Sequence, residues 1–251
     1  MSKTAKKRKL FERLMELNLA ENPGSAKALI MAGSVVVNEQ RVDKIGFLVS
    51  ERDSIRLKSK GRFVSRGGDK LSGALEDLSL FSVVNDAVVL DIGSSTGGFT
   101  DCALQSGASK VYAVDVGTNQ LAWNLRSDPR VVVKEKTDIR HLPEAFDTDI
   151  SLVVADVSFI GLKDILPDIV RVCPQTTCQF LLLIKPQFEL NSSFVPEGGV
   201  VTSETHRNLA VDMVKKECLS LGLKLVGSVD SRLPGRTGNQ EIFILLVYAE
   251  A

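Results

Sequence analysis

"VLDIGSSTGGFTDCAL", residues 89–104, decides the fold of this chain. Four residues of a buried strand run into a loop containing Gly93, Gly97 and Gly98, and the loop opens a helix. Strand, glycine loop and helix form the opening unit of an α/β sheet that holds its ligand at the carboxyl ends of its strands. Three chemistries use such a loop. A triphosphate loop needs G-x-x-x-x-G-K-[ST], but here Gly93 and Gly98 are followed by Phe99 and Thr100, so the phosphate-reaching lysine is absent. A nucleophile elbow needs G-x-S-x-G, which residues 93–97 match. A hydrolase sheet, however, places strands and an oxyanion loop ahead of its elbow, and only a small basic segment precedes this one. The third chemistry is the binding of S-adenosylmethionine. In that reading Asp91 holds the ammonium of the methionine moiety. Gly93, Ser94, Thr96, Gly97 and Gly98 bring the backbone close to the cofactor, the glycines because they carry no Cβ.

Outward from the loop, strand and helix alternate. Expected strands are "AVVLDIG", "KVYAVDVG", "VVVKEK", "SLVVADVSF" and "FLLLIK", with helices at 98–106, 118–126 and 161–172 between them. A long helix at 203–221 and two more strands, "KLVGSVDS" and "EIFILLVYA", close the chain. The alternation predicts a Rossmann-like, mostly parallel sheet with helices on both faces. The short connection "LPGRTGNQ" makes the final pair an antiparallel hairpin at the sheet edge. Asp115 closes the second strand about 20 residues after the loop, the position that suits a ribose hydroxyl pair. Asp138 follows the third strand and is placed to accept an adenine amino group. Any one of these aspartates alone reads as a loop cap; three at successive strand ends, with the loop, read as a cofactor site.

The fifth strand poses a question of charge. "LLLIKPQFEL", residues 181–190, runs apolar up to Lys185, and Pro186 ends it. A lysine is rarely buried unpaired. It either snorkels out at the strand end or serves chemistry there. Asp156 ends the neighbouring fourth strand, so the two side chains can meet at one sheet edge. Lys70 lies early in a helix before the first strand. Glu241 lies in the apolar last strand, where an acid needs a partner. Two amines and two carboxylates can neutralise one another around a pocket.

The net charge of zero hides an asymmetry: residues 1–70 hold 16 Lys+Arg against 8 Asp+Glu. A basic block of this kind suits a polyanion. Leu10, Leu14 and Leu17 define one amphipathic helix; Asn22 and Pro23 open a second, and Gly33 ends it. "SVVVN" and "SIRLK" follow as strands around a turn at "NEQ". Residues 1–58 are thus read as a small α+β domain. Residues 59–69, polar and glycine-bearing, read as a linker, and 70–251 as the larger domain. Lys6, Lys7, Arg8, Lys9, Arg13 and Lys27 in the first part, with Arg62 and Arg66 after it, are the expected phosphate-backbone contacts. "AKALIMAGSVVVN" resembles the small RNA-binding domain first described in a ribosomal small-subunit protein, the S-four fold. That family often has Ser-Arg where this chain has Asn22-Pro23, and glycine where it has Glu39.

Cys102, Cys173, Cys178 and Cys218 are scattered, and His141 and His206 are the only histidines. Neither a disulfide framework nor a metal site is expected. No run of 18 apolar residues and no signal-type leader occur, so the expected setting is a reducing cytoplasm. The order Lys70, "DIGSSTGGFTD", Asp156, Lys185, Glu241 resembles the Lys-Asp-Lys-Glu tetrad of FtsJ-like ribose 2′-O-methyltransferases, which have a class I methyltransferase fold. "VSRGGDKL", "VYAVDVGTNQL", "ADVSFI" and "IKPQFE" are similar to the TlyA family, often labelled haemolysins. That resemblance implies methylation of cytidine ribose hydroxyls in ribosomal RNA, with ribosomal RNA or ribosomal subunits as partners. It implies Lys185 as the base, Asp156 orienting it and the methyl donor, and Lys70 and Glu241 fixing the hydroxyl and the charge balance. Two other readings stay open: a membrane-lytic protein, and an inactive RNA-binding assembly factor.

Overall fold

The computed structural model describes residues 7–57, 61–144, 146–147 and 149–249. They fall into two compact units divided between Lys60 and Gly61.

The first unit contains β1 (Arg8–Lys9), α1 (Leu10–Glu16), α2 (Pro23–Met31), β2 (Val35–Val37), β3 (Gln40–Val42), β4 (Leu48–Val49) and β5 (Ile55–Leu57). Asn22 caps α2 by accepting the Ser25 N–H at 2.9 Å, and Ser25 Oγ accepts the Asn22 N–H in return. Pro23 takes the first helical position, where its missing N–H costs nothing. β2 pairs with β3 and β5, and Leu10, Leu14, Ala26, Ile30, Val35 and Val37 form the core beneath. Leu17 does not join them. It lies at the C-cap of α1 and is 38% exposed, because the helix stops one residue before it. The β2–β3 turn is the pair Asn38–Glu39, both at positive φ, the geometry of a two-residue hairpin whose twist matches its strands. Glu39 thus occupies a left-handed position, where glycine pays no Cβ penalty.

The second unit contains α3 (Arg66–Asp77), α4 (Phe81–Val84), β6 (Val88–Ile92), α5 (Gly98–Gln105), β7 (Lys110–Val114), α6 (Trp123–Arg126) and β8 (Val131–Lys134). It continues through β9 (Ile150–Ala155), α7 (Leu162–Val172), β10 (Gln179–Ile184), α8 (Pro186–Glu189), α9 (Glu204–Ser220), β11 (Leu223–Asp230) and β12 (Ile242–Tyr248). The seven strands lie in the order β11-β12-β10-β9-β6-β7-β8. The run from β10 to β8 is parallel, and β12 is antiparallel to both β10 and β11. β10 reads as an unbroken apolar run because both of its faces are covered: Phe180, Leu182 and Ile184 face one core, Leu181 and Leu183 the other. The chain winds outward from β6 to β8, then returns to place β9 on the other side of β6. The β6/β9 boundary is therefore the switch point, where loops from adjacent strand ends diverge and leave a crevice.

Three expected boundaries are corrected. Positions 59 and 60 of the expected linker lie outside the described residues, and the rest of it is not linker. Phe63 is buried in the second unit, its Val64 N–H is accepted by Asp101 at 2.8 Å, and α3 begins at Arg66. The helix expected at 118–126 shrinks to Trp123–Arg126. Glu135 accepts the amides of Asn119, Gln120 and Leu121, and those three bonds hold the preceding loop out of helix. Glu241 is not inside the last strand but immediately before it.

Candidate active site

A cavity of about 900 Å³ opens at the carboxyl ends of β6, β7 and β9. Its floor is the loop after β6. Gly93 adopts a positive φ, and a Cβ there would press to 2.9 Å from the Asp156 carbonyl oxygen. A side chain at 93 would thus push apart β6 and β9 where they flank the crevice. Gly98 serves packing rather than backbone freedom: a Cβ would meet Ser65 Oγ at 2.3 Å and the Gly68 nitrogen at 2.7 Å. The absent side chain lets α5 approach α3, which carries Lys70.

The four charged residues picked out in the sequence all line this cavity. Lys70 Nζ donates to Glu241 Oε2 at 2.5 Å, and both side chains are nearly inaccessible. A buried pair of this kind stands because each charge is offset by the other; removing one leaves an uncompensated ion at a cost of about 3–5 kcal/mol. Lys185 Nζ lies 2.6 Å from Asp156 Oδ1. That contact lacks hydrogen-bond alignment, and the Lys185 hydrogen bond goes instead to Ser158 Oγ at 2.7 Å. Lys185 is the residue before α8; the turn at Pro186 ends β10 there, which sets the amine at the sheet edge beside the end of β9.

Of the expected cofactor residues, Gly93, Ser94, Thr96, Gly98, Asp115, Asp138 and Asp156 line the cavity. Asp91 does not. It is fully buried beneath the loop and accepts the Thr100 hydroxyl at 2.6 Å, while its other oxygen has no partner. Burial pushes its carboxyl up to about 7, the Asp156 charge adds to the rise, and the Thr100 bond opposes it. One oxygen of the expected ammonium acceptor is thus engaged by α5 instead of facing the cavity. Gly97 is also off the wall: its positive φ starts α5, and its missing Cβ makes room for Leu121 and Leu125. Asp115 and Asp138 each do more than face the cavity. Asp115 accepts the N–H groups of Ser95 (2.8 Å) and Gly117 (2.6 Å) and so ties the two loops together. Asp138 accepts the Arg140 guanidinium at 2.9 and 2.6 Å, which, with the Arg140 backbone N–H it also accepts, holds its carboxyl down to about 2. A carboxylate has about four acceptor positions, so both retain capacity for a ligand.

The expected RNA contacts are divided between the two units. Lys6 lies outside the described residues. Lys7, Arg8 and Lys9 border a shallow depression together with Glu12 and Glu16. Arg8 and Arg13 both pair with Glu16, and Lys9 and Lys27 sit over the Phe11 ring at 5.9 and 5.1 Å. Arg62 stacks on Phe63 in the second unit, and Arg66 lines the cavity itself, donating to the Pro234 carbonyl. One acid accounts for both arginines: Glu16 meets Arg13 at i,i+3 spacing within α1 and also pairs with Arg8 of β1.

Sequence reasoning missed Ser158, Phe159, Gln187, Phe188, Arg236 and Thr237, which also line the cavity. Phe159 is 92% exposed, has a φ of +66°, and its ring lies 5.6 Å from that of Phe188. The signal for part of this group was present: "GRTGNQE" puts a basic, glycine-bearing turn directly before Glu241. Among the described residues, no cluster of three His, Cys, Asp or Glu is placed to hold a metal ion, and no helix is long and apolar enough to cross a membrane.

The model of the FtsJ-like methyltransferase family matches residues 63–248. YqxC of Bacillus subtilis is 44% identical over 250 residues, covering 97% of this chain and 86% of that protein. The 16S/23S rRNA (cytidine-2′-O)-methyltransferase TlyA of Mycobacterium tuberculosis is 41% identical, covering 96% and 90%. A solved structure from Streptococcus thermophilus that carries a hemolysin label superposes with a TM-score of 0.73 at 37% identity, over 98% of this chain and 90% of that one.

Proposed function

This chain belongs to the FtsJ-like methyltransferase family, and on that premise we propose that it methylates the ribose 2′-hydroxyl of cytidine in ribosomal RNA, with S-adenosylmethionine as donor. The observation that carries the reading is the meeting of Lys70, Asp156, Lys185 and Glu241 on one cavity whose floor is a glycine loop. The cavity fits the donor. Ile92, Val114 and Ile139 offer an apolar wall, and Asp115 and Asp138 offer acceptors for hydroxyl and amino groups. The bound donor supplies an electrophilic methyl group on a sulfonium.

The transfer balances simply. The hydroxyl oxygen bonds to the methyl carbon, the carbon–sulfur bond breaks with its electron pair going to sulfur, and the hydroxyl proton leaves. A ribose hydroxyl is a poor nucleophile, so the residues around it must align it and manage that proton. Lys185 is the amine placed to do so. With one Nζ position bonded to Ser158 and the Asp156 charge alongside, the amine keeps a free position for the substrate, either as a lone pair that takes the proton or as an N–H that stabilises the developing oxyanion. Lys70 is held by Glu241 and supplies a second donor to the same hydroxyl while keeping local charge balanced.

The first unit, whose sequence up to residue 60 holds an excess of Lys and Arg, is assigned to holding ribosomal RNA as an S-four-type domain, and the inferred setting is the cytoplasm. Incubation of the protein and tritiated donor with separated ribosomal subunits, followed by mapping of the modified ribose, tests the proposal. Label at a cytidine 2′-oxygen supports it; label on a base, on protein or nowhere refutes it. The hemolysin label on the Streptococcus thermophilus structure calls for a liposome-leakage measurement beside it, in which the wild type and the Lys185→Ala variant are expected to behave alike and leave vesicles sealed.

A further inference from the structure

The Lys185 contacts divide into two kinds. Asp156 Oδ1 lies 2.6 Å away but off the hydrogen-bond direction, so it contributes charge without setting the orientation of the amine. Ser158 Oγ, at 2.7 Å, is the aligned acceptor. An amine held by charge alone can turn about its Cε–Nζ bond at little cost. A directed bond added to the charge contact fixes where the remaining Nζ positions point. From this geometry, and resting on the proposed methyl transfer, we propose that Ser158 is a positioning residue that aims the Lys185 amine at the substrate hydroxyl.

The surrounding chain supports the role. Ser158 lines the cavity, and the next residue, Phe159, holds a left-handed φ of +66° that a bulky side chain disfavours. Such a conformation persists only where neighbours over-determine it. Here the neighbours are identifiable. On the far side of the loop, buried Glu189 accepts the Leu162 N–H at 2.5 Å and the Lys163 N–H at 3.4 Å. Glu189 is the last residue of α8, the turn that begins straight after Lys185. The acceptor loop and the lysine are thus anchored to each other at both ends: through Ser158 at the cavity, and through Glu189 at the start of α7. A serine that only filled space at an exposed position would need no such anchoring.

The hydroxyl, not the volume, is what the proposal requires, so two variants separate the possibilities. Ser158→Ala is expected to lower kcat by about tenfold to a hundredfold while KM for the donor changes by less than about twofold, and Ser158→Thr, which keeps the hydroxyl, is expected to restore most of kcat. A second readout needs no turnover. Competitive acetylation of lysines, read by mass spectrometry, is expected to modify Lys185 several-fold faster in full-length Ser158→Ala than in wild type, because the amine has lost its directed bond. Wild-type kcat in Ser158→Ala overturns the inference, as does a threonine variant no better than alanine. If the wild type itself methylates no RNA, the functional reading fails separately, and the acetylation ratio alone decides: a rise upholds the positioning contact, and no change removes it.

Discussion

At the scale of single residues, charge and burial decide what this protein can do. Lys185 is 8% exposed beside Asp156, and Lys70 is paired with a buried Glu241. The amine of Lys185 faces the cavity while its neighbours hold the charge balance, so Lys185→Ala is expected to leave donor affinity intact and lower methyl transfer by about a hundredfold or more. Calorimetry and a labelled-methyl assay check the two halves; undiminished transfer rules the amine out. Asp91 makes a different prediction. Burial holds its carboxyl up at about 7, so the folded state keeps a proton that the unfolded chain releases near the ordinary value of 3.8. The stability this gives is fully present below that ordinary value and is lost as pH rises through about 7. Between about pH 5 and about pH 8 the wild type should lose up to about 3 kcal/mol that Asp91→Asn does not lose. Urea midpoints at the two pH values test this, and equal slopes would mean that the carboxyl is ionised inside the fold. Nothing in the run "VLDIG" revealed that Asp91 takes the Thr100 hydroxyl beneath the loop, because Thr100 belongs to the next element.

At the scale of elements, the site depends on how closely a few segments approach. Gly98 at the start of α5 faces Ser65 and the first turn of α3. Gly98→Ala would put a methyl group into backbone as well as into the Ser65 hydroxyl. It is expected to cost about 1–3 kcal/mol and to weaken donor binding, since the helix that carries Lys70 must move. A shifted denaturation midpoint with unchanged donor affinity would show that α3 is not coupled to the loop. The sheet itself was legible: five apolar runs, each closed by a charged residue or glycine, gave the parallel strands, and the short final connection gave the antiparallel pair. The helix before β8 was not, because three backbone amides answer to Glu135, 14–16 residues downstream, rather than to carbonyls of their own turn.

At the scale of the molecule, the described residues form two compact units. The first is basic and small, and the second carries the sheet, the cavity and the family match from residue 63 onward. If the first unit grips the polyanion, a chain lacking residues 1–60 should bind ribosomal RNA far more weakly while keeping its affinity for the donor. Its binding should also fall less steeply with salt, because fewer phosphate counterions are released. RNA affinity equal to that of the full chain across a salt series would refute that division. By itself the sequence determined the alternation of strand and helix, the glycine loop and the order of four charged residues along the chain, since periodicity, backbone freedom and residue chemistry are local properties. Only the tertiary structure decided which charges pair. Lys70 meets Glu241 across 171 residues, Asp91 withdraws to Thr100, Arg66 belongs to the cavity, and Ser158 takes the Lys185 hydrogen bond. Those outcomes depend on distances between elements, and such distances are set by packing the whole sheet rather than by any one stretch of it.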